Sequence, residues 1–511
     1  MLVSLASLAP VWLIRYQPLP DHAEHLASAA LLHNYGNLAF DYQRYYTLSL
    51  GLTPYWGYYG LAHLFAFPFG IDIANRLVLS LYVLGIPLGL VFLARRFGRS
   101  PLLSFFAFPV VWNLNFAEGF TPFCLGMALW PFALGLFDRF CEKPTWRRGI
   151  VAALFGGAIF FAHLLAWGMY LASAGLVGLL HEQRLSSFVS DLWRRFIVWF
   201  FSLAVGIYVV RFGHGLSMGS GRPIVGKYTS LLDAIRGFYS FIWDNCVGRE
   251  DEVMVALLFS LWMVLLVSQR HRSWKPHDLR PEACFLVAIV AYFVLPRSLL
   301  SPEYWWGINL RYATFAVYST ALLVSGPLDG WRRWLLVPVA LIGIGFAADT
   351  SVHWARANRF GAGFDQLTSL PTSGARTLVL LEGARHDPSV RQNYMQIYYE
   401  MLQVERGGYM PWNFDSDFPL RYRVRYPAPS WRKMDFRWKD HARYYDYLLV
   451  FHSDPRIFDG HQNELTKVGA AGDWILWKLP GPRVDESPAP PYPSGWATDP
   501  NWNKPKWNKP K

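Results

Sequence analysis

The sequence predicts a polytopic α-helical membrane protein with a small C-terminal α/β domain outside the membrane, and three observations carry that prediction. Of 511 residues, 53% are hydrophobic and only 16% are charged, whereas soluble globular chains carry about 25% charged residues. The deficit is uneven, because residues 1–350 hold long apolar runs and residues 351–511 read like an ordinary soluble polypeptide. Lysine and arginine also fall in short blocks between the apolar runs, as expected of cytosolic loops. Those blocks account for the net charge of +12, so nucleic acid is not an expected partner.

Apolar stretches place candidate spans near 1–14, 73–94, 101–116, 120–138, 149–165, 167–182, 193–212, 252–268, 281–297, 311–327 and 332–349. That makes about eleven transmembrane helices, each judged against the roughly 20 residues a span needs. The first is short by that measure, and with no basic segment ahead of it, it does not read as a cleavable signal peptide. Residues 51–70 are apolar but interrupted by Pro54, Gly57, Gly60 and Pro68. Charge decides how they are read. If they do not cross, the cytosolic loops contain Arg95, Arg96 and Arg99, then Lys143, Arg147 and Arg148, then Arg184, Arg194 and Arg195. The last two contain Arg270, Arg272, Lys275 and Arg280, and then Arg332 and Arg333. The opposite loops contain Asp21, Glu24, Asp41, Glu118, Glu250, Asp251, Glu252 and Glu303. The expected organisation is therefore a membrane domain over 1–350, with a large first external loop at 15–72 in which 51–70 lies on or re-enters the membrane.

The soluble part, 351–480, has strand-type runs at Thr377–Leu381, Tyr447–Phe451 and Asp473–Trp477, with helical spacing around 391–404. Residues 481–511 are proline-rich and end in a short tandem repeat, a composition that cannot bury a core and predicts a disordered tail. The four cysteines are scattered and form no CxxC pair, so neither a disulfide framework nor a cysteine metal site is indicated.

Chemistry concentrates in the first loop, at Pro20-Asp21-His22-Ala23-Glu24-His25. On a helix, Asp21 and His25 share a face at i and i+4, as do His22 and His25 at i and i+3. A carboxylate at a membrane–water boundary is partly desolvated, which moves its pKa toward neutrality and suits a general base. The bland alternative is a solvated polar loop. Asp21, Glu24 and His25 are also candidate ligands for a divalent metal, although the spacing matches no zinc signature. Charge bias brings Asn113, Asn115 and Glu118 to the same external side. His163, inside an apolar run, is a site candidate or a histidine bonded to a neighbouring helix. Arg311 enters the membrane from outside and suits a phosphate oxygen, or else is an interfacial anchor. Arg222 and Lys227, in a glycine-rich external loop, are weaker phosphate candidates.

This layout resembles the GT-C superfamily of membrane glycosyltransferases, which includes the protein O-mannosyltransferases and lipid A aminoarabinose transferases. It is similar in particular to uncharacterised bacterial members in the strings Pro20-Asp21-His22, His25-Leu26, Asn115–Phe120 and Phe160–Leu165. The resemblance covers residues 1–350 in architecture and the C-terminal part loosely. It implies transfer of a sugar from a polyprenyl-phosphate donor to a lipid, glycan or protein acceptor, with inversion. The first-loop acid Asp21 would be the base, with Glu24 and Glu118 beside it. It implies a bacterial inner membrane with a periplasmic active side in the cell envelope. Many members have paired acids in this loop; here Asp-His-x-Glu-His replaces them, which leaves the metal and the base to be identified. A secondary transporter and a polymerase or ligase of lipid-linked glycans compete with this reading. Transporters more often show internal repeats and midplane charges. This chain has neither, and its polar residues gather at one face.

Overall fold

The computed structural model describes residues 2–181, 185–212, 223–243, 248–269, 276–301, 304–381, 390–392, 395–413, 418–429, 433–452 and 454–481. The tail beyond 481 and Arg222 lie outside the described residues. The chain is predominantly helical, and helix forms at each predicted apolar run. Among the described residues, three helical runs are long and apolar enough to cross a membrane, namely Ile71–Arg96, Thr121–Glu142 and Gly330–Thr368. The first, at 26 residues, is about 39 Å long, more than the hydrocarbon thickness of a bilayer. The outward faces of the bundle are apolar as well. Leu88, Leu154, Phe259 and Leu341 are each more than half exposed, a surface that water penalises and lipid does not.

Two predicted segments differ from expectation. The 101–116 run is not one helix but a 3₁₀ segment Pro101–Phe106, a short helix Ala107–Val111 and a second short helix Leu114–Ala117. Asn113 restarts the chain there, its side-chain oxygen accepting the N–H groups of Asn115 and Phe116 at 2.9 and 3.3 Å. Residues expected to be broken by glycine form an uninterrupted helix, Trp56–Phe69. Gly57 is a contact residue within it, since a Cβ there would stand 2.8 Å from the Ala162 Cα of the Trp146–Ala162 helix. Small residues let helix backbones approach this closely.

At one end of the bundle, basic residues placed in separate loops by the sequence converge on a single acid. Asp138 is fully buried and accepts from Arg280 Nη1 at 2.6 Å, from His181 Nε2 at 2.7 Å and from Arg96. Arg96 also reaches Glu142 at 2.5 Å. Four helices are tied together there: Ile71–Arg96, Thr121–Glu142, the Leu164–Leu180 helix that His181 ends, and Arg280–Val294. A buried guanidinium with its partner removed is costly, so such a pair holds the helices in one arrangement.

The C-terminal part builds a mixed four-stranded sheet in the order Thr377–Leu380, Tyr447–Phe451, Trp474–Lys478, Thr466–Ala471. The first pair is parallel and the others antiparallel. The two central strands are apolar on both faces because helices and the first loop cover them. The first loop is stitched to this part at two places. Tyr46–Leu48 pairs antiparallel with Leu420–Tyr422, and the Tyr46 hydroxyl accepts from the Met410 N–H at 2.8 Å and from Gln403 at 2.9 Å. Arg15 forms ion pairs with Asp365 at 3.0 Å and Glu405 at 2.9 Å, while Asn358 accepts the Tyr16 N–H at 2.9 Å.

Replacing Asp138 by Asn should remove the buried charge that Arg280, His181 and Arg96 share and destabilise the protein by about 3–5 kcal/mol. The thermal-unfolding midpoint of purified protein in detergent checks this.

Candidate active site

Pro20 opens the helix Pro20–Asn34 at its first turn, where a missing N–H costs nothing. Asp21 therefore sits at a helix N-terminus, facing the turn that follows Leu114–Ala117. The Asp21 N–H donates to the Glu118 carbonyl at 3.0 Å. This approach needs Gly119, whose φ is +85° and whose absent Cβ would lie 2.3 Å from the His22 nitrogen. Two loops nearly a hundred residues apart are thereby clamped together, with the Asp21 and Glu118 carboxyls within electrostatic reach.

The helix is packed between Trp56–Phe69 and the helix Ile397–Arg406. The latter brings Glu400, which is fully buried and has neither carboxyl oxygen hydrogen-bonded. Glu400 lies within electrostatic reach of Glu24, and Tyr399 within reach of Glu24, Glu400 and Asp21. The site is thus a group of four carboxyls, Asp21, Glu24, Glu118 and Glu400, contributed by three separate stretches of chain. Among the described residues, the Arg311 cation is within electrostatic reach of Asp21 and Glu118. Arg311, in the helix Ile308–Thr320, lies with its guanidinium carbon 3.9 Å from the centre of the Phe120 ring. Its Nη1 donates to the Trp306 and Gly307 carbonyls at 2.7 and 2.9 Å, and its Nε has no partner. A guanidinium held by one edge and by a ring face keeps donors available for an anion.

Burial sets the protonation of the group. Asp21 is pushed up to about 6 by burial, opposed by the Arg311 charge. Glu118 is pushed up to about 8 by burial and then by the Asp21 charge, opposed by a bond from Gln392 and by Arg311. Glu24 is raised by burial, then by Glu400 and Asp21, and Glu400 is raised by burial. At neutral pH this arrangement provides one ionised carboxylate, Asp21, among neighbours that favour their protonated forms.

The other predicted residues are placed less centrally. His22 is fully buried with Nδ1 2.8 Å from the Thr121 hydroxyl, and His25 has Nδ1 2.7 Å from the Tyr59 hydroxyl. Burial lowers both to about 3, so each is neutral and packs the helix in place. His163 is not inside a helix. It is the junction between Trp146–Ala162 and Leu164–Leu180, with Nδ1 accepting the Leu165 N–H at 3.1 Å. Its ring stands edge-on to Tyr55 and Phe123, within reach of Arg311 and His25. Asn115 turns inward to bond Thr314 at 2.7 Å. Lys227 is exposed on the strand Val225–Lys227. Asp21, Glu24 and His25 do not bring three ligand atoms within 4.8 Å of one another; among the described residues only Glu250, Asp349 and His353 do.

Glu400 was not among the residues expected. Its one sequence signal is an acid inside the otherwise apolar run Ile397-Tyr398-Tyr399-Glu400-Met401-Leu402, and nothing local to that run indicates Glu24 as its neighbour.

The bundle of apolar helices with its C-terminal part shares its fold with solved membrane-protein structures. The solved structures with this fold include ArnT from Cupriavidus metallidurans, a lipid A aminoarabinose transferase. The structure bound to undecaprenyl phosphate matches with a TM-score of 0.54 and 12% identity, covering 93% of this chain and 97% of ArnT. The apo structure matches with a TM-score of 0.52 and 10% identity over the same shares. The expected resemblance thus holds at the level of fold. No protein-family profile and no curated protein sequence matches the chain.

Because Glu24 and Glu400 bind protons more tightly folded than unfolded, folding stability should fall as pH rises above the ordinary glutamate value of 4.5 toward neutrality. Glu400→Gln removes one titrating group and its charge on Glu24. The decline in unfolding midpoint between pH 5 and 8, measured in detergent, should become shallower.

Proposed function

We propose that the protein is a membrane glycosyltransferase that moves a sugar from a polyprenyl-phosphate donor to an acceptor outside the cytosol. The observation that carries the reading is Asp21, a carboxylate held near neutrality beside Arg311 at the seam between helix bundle and C-terminal sheet. The fold shared with ArnT, one structure of which holds undecaprenyl phosphate, supports the choice of donor. Under this reading the bundle crosses the membrane about eleven times. The basic loops face the cytosol, and the first loop and the 351–480 domain face the periplasm of a bacterial inner membrane.

The acceptor hydroxyl or amine attacks the anomeric carbon from the face opposite the lipid phosphate. The acceptor–carbon bond forms as the carbon–phosphate-oxygen bond breaks, which inverts the anomeric centre. Asp21 takes the acceptor proton, and the electron pair leaves with the polyprenyl phosphate, whose charge Arg311 stabilises. Glu118, protonated near neutral pH, donates a hydrogen bond to a sugar oxygen, and the Glu24–Glu400 pair lines the same wall. His22, His25 and His163 position Asp21 and Arg311 by packing.

Asp21→Asn should lower donor turnover in vesicles by about 10²–10⁴-fold while expression and folding persist. Unchanged turnover removes Asp21 from the mechanism, and uphill solute uptake by proteoliposomes would replace the reading with transport. Turnover should rise with pH through about 6 as Asp21 ionises. Arg311→Met removes the charge that opposes burial, so this acid limb should move to higher pH along with a loss of rate.

A further inference from the structure

Away from the four-carboxyl site, the described residues gather metal-type donors at one place. Glu250 begins the helix Glu250–Val267, and Asp349 and His353 lie one turn apart near the end of the helix Leu336–Ala357. One donor atom from each of the three lies within 4.8 Å of the others. Asp349 and His353 share a helix face at i and i+4, with Nε2 and Oδ1 3.3 Å apart. The His353 side chain is nine-tenths buried, and its Nδ1 has no partner. Glu250 comes from the second helix and is exposed, so its carboxylate is free to adjust.

We propose that Glu250, Asp349 and His353 hold one divalent transition-metal ion of the zinc type, clipping the two helices together at the outer boundary of the bundle. Two carboxylates at this spacing repel each other, and a dication offsets that repulsion. The donor set selects the ion. Calcium and magnesium take oxygen ligands, whereas an imidazole with carboxylates suits zinc and its neighbours. Bonds of about 2.0–2.2 Å would draw the donors closer than they stand, a movement the exposed Glu250 side chain can supply. Three protein ligands leave a fourth position for water. The clip has a structural consequence as well. The helix bearing Asp349 and His353 runs directly into Asn358, which bonds the Tyr16 backbone just ahead of Pro20–Asn34. Fixing this helix end therefore steadies the entry to the first-loop helix. The inference does not depend on the proposed transferase activity.

Full-length protein in detergent, stripped with chelator and desalted, should take up one zinc per chain by elemental analysis, with a higher unfolding midpoint. Magnesium should leave the midpoint unmoved. His353→Ala should lose both the bound zinc and the shift. Glu250→Gln, a surface change expected to leave the metal-free midpoint unaltered, should weaken zinc binding by about tenfold or more, and it decides the matter if His353→Ala fails to fold. Negligible zinc in the unmodified protein, or undiminished binding in Glu250→Gln, overturns the proposal.

Discussion

The hydrogen bond from the Asp21 N–H to the Glu118 carbonyl, and the glycine beside it, organise the outer end of the molecule. The turn at Glu118–Gly119 is pressed onto the first turn of Pro20–Asn34 so closely that no side chain fits between them. That contact fixes the direction of the helix and brings two acids from distant loops into one electrostatic environment. The same helix packs against Ile397–Arg406, where Glu24 comes within electrostatic reach of Glu400. Phe120, the next residue after the turn, supplies the ring on which Arg311 lies. This backbone contact thus ties Asp21 to Glu118 and places the ring that carries Arg311 beside them.

The two ends of the bundle show what burial does to an acid when the compensation differs. Asp138 is surrounded by two guanidinium groups and an imidazole, every one in hydrogen-bonding range, and it serves to lock helices. At the other end the Arg311 guanidinium reaches Asp21 and Glu118 of the four carboxyls, and its own donors are partly committed to backbone carbonyls. Desolvation there is left uncompensated, so the acids hold protons that free carboxyls would lose. Groups poised in this way are suited to exchange protons with a substrate, and a fully paired acid is not. The imbalance costs stability, and the dense packing of tyrosines between the first loop and the C-terminal sheet offsets it.

That packing also explains why the C-terminal part belongs to the site. Tyr46 pairs backbone with Tyr422, and its hydroxyl is shared between Met410 and Gln403. Glu400, one turn before Gln403, is consequently carried against the helix Pro20–Asn34. The C-terminal part does more than cover a finished cavity, because its helix Ile397–Arg406 supplies one of the four carboxyls.

Sequence alone determined the features that repeat within a short window. Apolar runs located the helices, short β-type runs bounded by turn residues located the three strands at Thr377, Tyr447 and Trp474, and charge bias gathered Asp21, Glu24, Glu118 and Arg311 on one side. The GT-C resemblance rested on short strings of the same kind. Tertiary structure decided what each residue does there. Gly57 reads as a helix breaker and is a helix contact, His163 reads as an ionisable group in a span and is a cap, and Arg280 reads as a loop charge and is a buried tie. Glu400 gave no local hint of its neighbour. The reason is physical: helix and strand formation respond to neighbours three or four residues away. A side chain's protonation and role depend instead on what burial places beside it, and here that comes from stretches hundreds of residues apart.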